Sequence, residues 1–244
     1  MADNICVFNR SMVFFHEGVI HCTHDVKTGI AGKLPNARIA PWTGEDGGFI
    51  APQPIMAAPP IVGPDNGFCP WIVYDNDMVL LFLPNRIEVS NSSFEINEEG
   101  ELANLKSLLD KFSSFVELFK INSIKRFAYV PKTGIDETET FNVNDYFKKT
   151  INFPKLETWR YEEPAVQLNF PTTMTIASRD YEVNRLCNII KGHKKSDSKD
   201  YDCVIINNDI NTFGGKGYEF SFGDTDDFMT QAVKMHFQVL EHLF

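Results

Sequence analysis

The uneven distribution of proline is the feature that most restricts what this chain can fold into. Eight of its 13 prolines fall between Pro35 and Pro70, and five glycines share that stretch. Proline has no backbone N–H to give to a helix or a sheet ladder, so this stretch predicts extended or turning backbone. The regular structure must therefore be built from the residues on either side.

The proline-rich stretch is nevertheless apolar, which separates it from a solvated linker. Trp42, Phe49 and Ile55 lie within it, and Trp71 follows directly. Side chains of this size gain free energy when they leave water. We therefore expect an ordered arm over residues 35–70 and treat these four residues as interaction candidates. The arm lies either over its own core or over a neighbouring subunit, and the sequence leaves both open.

The remaining chain shows alternating and short apolar runs that predict strands. At the N-terminus, 5–8 and 12–20 predict two strands joined by a turn at 9–11. Further strand patterns lie at 71–74, 78–83, 86–90, 121–130, 165–177, 203–206 and 218–222. Pro131 closes the fourth of these runs, glycines at 214–217 predict the last turn, and Pro171 requires an edge or a bulge. Residues 180–190 fit a helix or a strand.

Two segments predict long helices, at about 101–120 and 225–243. In each, apolar side chains recur at intervals of three and four residues, which places them along one helical face. The chain thus predicts an α+β fold with mainly antiparallel sheets and two strand-then-helix halves. The predicted organisation is N-terminal strands (1–34), the Pro/Gly-rich arm (35–70), a first half (71–150) and a second half (151–244), forming one compact domain.

The final helix is apolar on two adjoining stripes, which predicts burial on two sides or burial on one side with a subunit contact on the other. Phe237 lies in the second stripe and Phe244 ends the chain. We include both among the interaction candidates and expect a protein partner, with a homodimer or a larger assembly as the simplest arrangement.

The densest set of metal-capable side chains is His16, His21, Cys22 and His24. Zinc accepts imidazole and thiolate ligands, and a turn would bring His21 and His24 together. On a strand, however, His21 and Cys22 would point to opposite faces. The alternative is the end of a strand with ordinary polar groups, and we otherwise expect no cofactor.

Two residues are candidates for catalysis. Asp209 lies in a run in which Asn207, Asp209 and Asn211 would share one strand face, as in hydrolases that cluster carboxylates around metal ions. A polar row at a sheet edge or a subunit contact explains the same pattern. His236, on the final helix, is a candidate base, and a structural histidine is the alternative reading.

Charge and cysteine usage restrict the partners and the compartment. The net charge is −10 and the 33 acidic residues are dispersed, so the sequence has no basic patch for nucleic acid. The five cysteines are scattered without close pairs, which favours free thiols in the cytoplasm. No apolar run is long enough to predict a membrane span.

The order of several short segments resembles a sporadically distributed prokaryotic family of uncharacterised proteins of similar length. The resemblance covers residues 71–244. It is carried by 79–89, the helix from Leu102, 124–130, 143–147, 204–212 and the terminal 236–244. It implies a role in mobile elements, phage, conflict or defence, and it supplies no catalytic residues. The proline-rich arm departs from the pattern.

The sequence as a whole predicts a non-enzymatic cytoplasmic protein that works by binding another protein. Two alternatives stay open at this point. One is a metal-dependent hydrolase or nuclease, built on the His16 segment or around Asp209. The other is a structural component of a virion or a secretion apparatus, in which proline-rich arms hold neighbouring subunits together.

Overall fold

The computed structural model describes residues 5–42, 69–76, 78–151, 165–196 and 199–244. The strands are β1 (Ile5–His16), β2 (Arg38–Pro41), β3 (Trp71–Asp75), β4 (Met78–Leu83), β5 (Arg86–Asn91), β6 (Ile124–Asp136), β7 (Ala165–Asn169), β8 (Thr172–Ile176), β9 (Arg179–Ser196) and β10 (Lys199–Thr212). The helices are α1 (His24–Lys33), α2 (Glu98–Val116), α3 (Val143–Ile151) and α4 (Thr225–Leu243).

Within the described residues, all ten strands join one antiparallel sheet. Its order is β2-β3-β4-β5-β1-β6-β10-β9-β7, and β8 continues the outer edge by also pairing with β9. The mixed α and β content and the antiparallel sheet confirm the coarse fold prediction. The two predicted halves share this sheet, because β1 and β6 at its centre connect β3–β5 to β7–β10.

Helices α2 and α4 lie side by side on one face of the sheet, and aromatic side chains make the contact. Phe112 of α2 stacks on Phe14 of β1 with ring centroids 5.2 Å apart, and Phe228 of α4 stacks on Phe127 of β6 at 5.2 Å. All four rings are fully buried. Each such burial contributes about 1.5–3 kcal/mol, so these contacts fix the helices on the sheet.

The first strand differs from the prediction. Residues 5–16 form one strand of 12 residues, where the sequence predicts two strands and a turn at 9–11. Asn9 and Ser11 pair with β6 within the ladder, and a bulge between Val7 and Asn9 accommodates an extra residue. The polar residues that suggest a turn are held in the strand by the contacts of Arg10, described below.

The segment after β1 is also different, since residues 24–33 form helix α1 where the domain prediction has only N-terminal strands. Thr23 caps the helix by accepting a hydrogen bond from the Val26 N–H at 3.3 Å. Ile30 is the one residue of this helix that is fully buried. A single buried position produces too weak an amphipathic pattern to indicate a helix.

Strand β6 continues through Pro131, where the sequence predicts that it ends. Pro131 lies opposite Arg10 of β1, while on the other side the β6–β10 ladder is interrupted between Tyr129 and Lys132. The missing proline N–H therefore falls at a gap in the ladder, where it costs no hydrogen bond between strands.

The C-terminal part of the chain gives the outcome of the remaining strand predictions. Pro171 lies between β7 and β8 on the outer edge of the sheet, as predicted, and residues 180–190 belong to β9. The strand predicted at 218–222 is absent. Only Phe220 pairs there, through an isolated bridge to Ile124. Gly215 and Gly217 have positive φ values of 79° and 67°, so the chain loops and does not form a tight hairpin.

Most of the predicted arm lies outside the described residues, including the interaction candidates Phe49 and Ile55. At its ends, the Trp42 N–H donates to the Pro70 carbonyl at 2.9 Å, and β2 pairs with β3 at the edge of the sheet.

Candidate functional site

The face of the sheet opposite α2 and α4 carries a row of charged side chains across its central strands. Phe15 of β1 lies opposite Arg86 of β5 on one side and opposite Arg126 of β6 on the other. The Arg126 guanidinium lies 4.7 Å from the centroid of the Phe15 ring, and that of Arg86 lies 5.9 Å away. Both distances are typical of cation–π contacts, so the ring holds two positive charges in place.

Two carboxylates accompany these guanidiniums. Glu88 accepts a hydrogen bond from Arg86 Nε at 2.9 Å and forms an ion pair with it. Asp209 of β10 accepts a hydrogen bond from the Asn211 side-chain amide at 2.7 Å. Burial raises the pKa of the Asp209 carboxyl, and the Asn211 amide and the charges of Arg126 and Arg86 offset part of that rise.

Several polar atoms of this face have no hydrogen-bond partner among the described residues although they are buried. They are Arg126 Nε, Asn207 Oδ1 and Asn211 Oδ1. An unsatisfied buried polar atom costs about 1–3 kcal/mol, so these three atoms indicate a place for a polar ligand or for water. We call Arg86, Glu88, Arg126, Asp209 and Asn211 the polar row.

Small side chains lie between the two ends of the polar row. Val13 of β1 is opposite Glu88 on one side and Ala128 on the other, and Ala128 is in turn opposite Asn211. Val13 and Ala128 are buried although helices α2 and α4 pack on the other face.

The two predicted catalytic candidates lie on opposite faces of the sheet. Asp209 belongs to the polar row, and the alternation of Asn207, Asp209 and Asn211 on one face follows from strand β10 as predicted. His236 lies on the helix-covered face, and its side chain has no exposure to solvent. The structure therefore does not bring these two residues together.

His236 has a complete set of hydrogen bonds. The Asn208 amide donates to Nδ1 at 2.6 Å, so Nε2 carries the proton and donates to Thr133 Oγ1 at 2.9 Å. Burial lowers the pKa of His236 to about 3. The neutral ring links α4 to β6 and β10, which is the arrangement of a structural histidine.

The four metal-ligand candidates are spread along the end of β1 and the start of α1. His16 is buried at the end of its strand, with Nδ1 3.2 Å from the Glu17 carbonyl oxygen, and burial lowers its pKa. His21 and His24 are exposed, and Cys22 is half-buried. Across the described ranges, no group of three or more His, Cys, Asp and Glu side chains is placed to hold a metal ion.

Most of the interaction candidates in the described ranges contact other residues of the same chain. The Trp71 indole stacks on Phe82 at 3.7 Å and donates to the Ile20 carbonyl, and both Trp71 and Phe237 are buried. Phe244 is 38% exposed and stacks on Tyr146 of α3 at 4.9 Å. Trp42 is half-buried beside the edge strand.

The most exposed large apolar side chains lie elsewhere, between β5 and α2. Phe94 is 77% exposed and Ile96 is 65% exposed. Glu95 between them pairs with Val7 through two backbone hydrogen bonds of 2.7 and 2.9 Å, and its carboxylate accepts from the Asn104 amide of α2. Because neighbours in an extended segment point to opposite sides, Phe94 and Ile96 share the side away from α2. We call them the exposed apolar pair.

Sequence reasoning missed Arg86, Arg126 and the exposed apolar pair. The alternation at 86–90 predicts a half-exposed strand, but nothing local shows that Arg86 and Arg126 flank one phenylalanine. That relationship depends on which strands are neighbours.

Comparison with known proteins adds no relatives: no protein-family model matches the chain and no curated protein matches it. Of the helices in the described part of the chain, none combines the length and the apolarity needed to cross a membrane.

Proposed function

We propose that this protein is a non-enzymatic binding or assembly protein whose contact with its partner is centred on the exposed apolar pair. The observation that carries the proposal is the exposure of Phe94 and Ile96 on a rigid segment. Large apolar side chains that stay exposed together are typical of surfaces that bind another protein.

The rigidity of the segment favours binding, since little conformational entropy is lost when a partner docks. The Glu95 backbone is fixed to Val7, and Asn97 caps α2 by accepting a hydrogen bond from the Gly100 N–H at 2.8 Å. Gly100 permits this arrangement, because a Cβ at that position would lie 2.5 Å from the Glu95 carboxylate. The pair is thus presented in one conformation.

The simplest partner is a second copy of the chain, as a homodimer or a larger assembly. A symmetric dimer would place the same patch of both subunits in contact, which suits a compact apolar pair. The apolar composition of residues 35–70 supports a second contact by the arm. We place the protein in the cytoplasm, and in a mobile-element, phage or defence system as its sequence resemblance implies. The neighbouring genes are the observation that tests that setting.

Sedimentation velocity at micromolar concentration tests the proposal. We expect the wild type to sediment as a dimer or larger species and the Phe94→Ser/Ile96→Ser variant to sediment as a monomer with an unchanged circular dichroism spectrum. Val19→Ser is the matched control, because Val19 is also exposed, at 40%, but lies outside the segment that carries the pair, and it should behave as the wild type. A monomeric wild type, or a double variant that still assembles, would refute the role of the pair in self-association.

No observation favours the two alternative functions. The described residues contain no grouped metal ligands, and Asp209 has arginines for neighbours where a metal site would concentrate negative charge. Nothing in the described part of the chain is specific to a virion or secretion component.

A further inference from the structure

The polar row contains two guanidiniums and two carboxylates, but only one of the two possible ion pairs is formed. Arg86 and Glu88 are bonded at 2.9 Å. Arg126 and Asp209 attract each other, yet neither forms an ion pair with any group in the described parts of the chain, and Arg126 Nε has no partner. The second pair of opposite charges is thus held apart on a partly buried surface.

Arg126 and the strand β10 side of the row suit two different chemical groups of a ligand. On one side, the Arg126 guanidinium is fixed over Phe15 and offers the planar fork of donors that suits a carboxylate. On the other side, strand β10 offers oxygen acceptors, namely the Asp209 carboxylate and the unpartnered Asn211 Oδ1. Acceptors of this kind suit an ammonium group.

The net charge of the polar row favours one class of ligand over the others. With both carboxylates ionised, the four charged groups of the polar row sum to zero. A simple anion bound at Arg126 would therefore bring an uncompensated charge next to Asp209, and a simple cation would do the same next to Arg126. A ligand with one negative and one positive group adds no net charge and satisfies both sides.

We propose that the polar row binds a free α-amino acid, with the ligand carboxylate on Arg126 and the ligand ammonium on Asp209 and Asn211. In such a ligand the two opposite charges are joined by a single carbon, so one small molecule brings a partner to both sides of the row. Arg126 and Asp209 are each only half-buried, so solvent reaches both. The site is independent of the exposed apolar pair.

Isothermal titration of the whole protein with glycine, L-alanine, acetate and methylammonium tests the ligand class. We expect glycine or L-alanine to bind at least tenfold more tightly than acetate and methylammonium, which each carry only one of the two charges. Absence of amino-acid binding, or acetate binding as tight as glycine binding, would overturn the proposal.

Two variants test the assigned residues. Arg126→Gln and Asp209→Asn should each weaken glycine binding at least tenfold. Asp209→Asn should at the same time leave acetate binding unchanged or tighter, because the repelling charge is gone, whereas general damage to the site would weaken both ligands. Glycine binding of wild-type strength in either variant would refute the assignment.

Arg185→Gln is the matched control. Arg185 also stacks on a phenylalanine, at 5.2 Å from the Phe170 ring, and also has an unpartnered Nε, but it lies opposite Ile210 and so on the other face of the sheet. It should leave glycine binding unchanged, and a tenfold loss in this variant would contradict the site. Glycine binding by the Phe94→Ser/Ile96→Ser variant separates this proposal from the proposed function, since it should equal that of the wild type.

Discussion

Arg10 and Glu101 form a completely buried ion pair, in which Arg10 Nε lies 2.8 Å from each carboxylate oxygen. The pair joins the central strand β1 to helix α2. Tyr129 donates to the same carboxylate at 2.7 Å. Arg10 Nη1 donates to the side chains of Asn91 and Ser93, and Nη2 donates to the backbone carbonyls of Val7 and Ser93. The charge is therefore surrounded by hydrogen bonds, which is the condition under which a buried ion pair is tolerated.

Removing one member of this pair should be far more costly than removing both. Arg10→Met leaves the Glu101 carboxylate buried without its counter-charge, and we expect a loss of about 3–5 kcal/mol in the free energy of unfolding. The double variant Arg10→Met/Glu101→Leu should recover a large part of that loss. Urea unfolding measures both, with Lys148→Met in the exposed pair with Asp145 as the control, for which less than about 1 kcal/mol is expected. Equal losses in the single and double variants would contradict the argument.

The same pair explains why the sequence misleads at the first strand. Asn9, Arg10 and Ser11 have the composition of a turn, and the residue that makes Arg10 acceptable inside a strand is 91 positions away. Local composition carries no information about such a partner. The long-range ion pair overrides the local preference, and β1 continues without a break.

Elements with a strong apolar period were predictable in position. The structure has helices at 98–116 and 225–243, where the sequence predicts 101–120 and 225–243, and it has the hairpin formed by β3 and β4. Helix α1 was missed because its packing depends mainly on one residue, Ile30. The strand predicted at 218–222 fails because its aromatic residues pack against other aromatic side chains and make one isolated bridge in place of a ladder. Phe220, for example, lies 4.8 Å from Phe127.

The candidate site was predictable only along a single strand. The alternation of Asn207, Asp209 and Asn211 follows from the two-residue period of β10. Arg86 and Arg126 come from two other strands, and they meet only because β5, β1 and β6 are neighbours in the sheet. Strand order is set by the packing of the whole chain, so no local pattern could indicate this meeting.

His236 should make the protein sensitive to acid. Its pKa is about 3 in the folded state, against an ordinary value of 6.5, so between these values the unfolded chain takes up a proton that the folded chain does not. Stability is therefore fully present above pH 6.5 and is lost as the pH falls towards 3, by up to about 5 kcal/mol. Urea unfolding at a series of pH values measures this loss.

The contribution of His236 can be isolated by substitution. We expect His236→Gln to be less stable than the wild type at pH 7.5, by about 1–3 kcal/mol, because its hydrogen bonds to Asn208 and Thr133 are altered. Its stability should fall less steeply between pH 6.5 and 4. His242→Gln is the control, because His242 is exposed in the last turn of α4, and it should keep the wild-type slope. An unchanged slope in His236→Gln would show that another group causes the acid sensitivity.

The five cysteines differ in their exposure to solvent and should react at very different rates. Cys69 is exposed, whereas Cys187 and Cys203 are fully buried, and burial raises the pKa of Cys187 to about 12. Because the thiolate is the reactive form, a thiol reagent should modify Cys69 quickly, and it should modify Cys187 and Cys203 only after unfolding. Absorbance with Ellman's reagent, with and without guanidinium chloride, measures the two classes. Cys69→Ser should remove a fast phase, and fast labelling of Cys187 in the native protein would contradict the fold.

The packing of helix α1 can be tested with two glycines of the same helix. A Cβ at Gly29 would lie 2.5 Å from Leu118 Cδ1, whereas a Cβ at Gly32 would meet nothing within 4 Å. Both changes to alanine gain about 1 kcal/mol in helix propensity. Gly32→Ala should therefore stabilise the protein by about that amount, while overpacking against Leu118 costs about 1–3 kcal/mol and should make Gly29→Ala neutral or destabilising. Thermal unfolding of the two variants measures the difference. Equal stabilisation by both would contradict tight packing of α1 against Leu118 and would show that the Leu118 side chain moves aside.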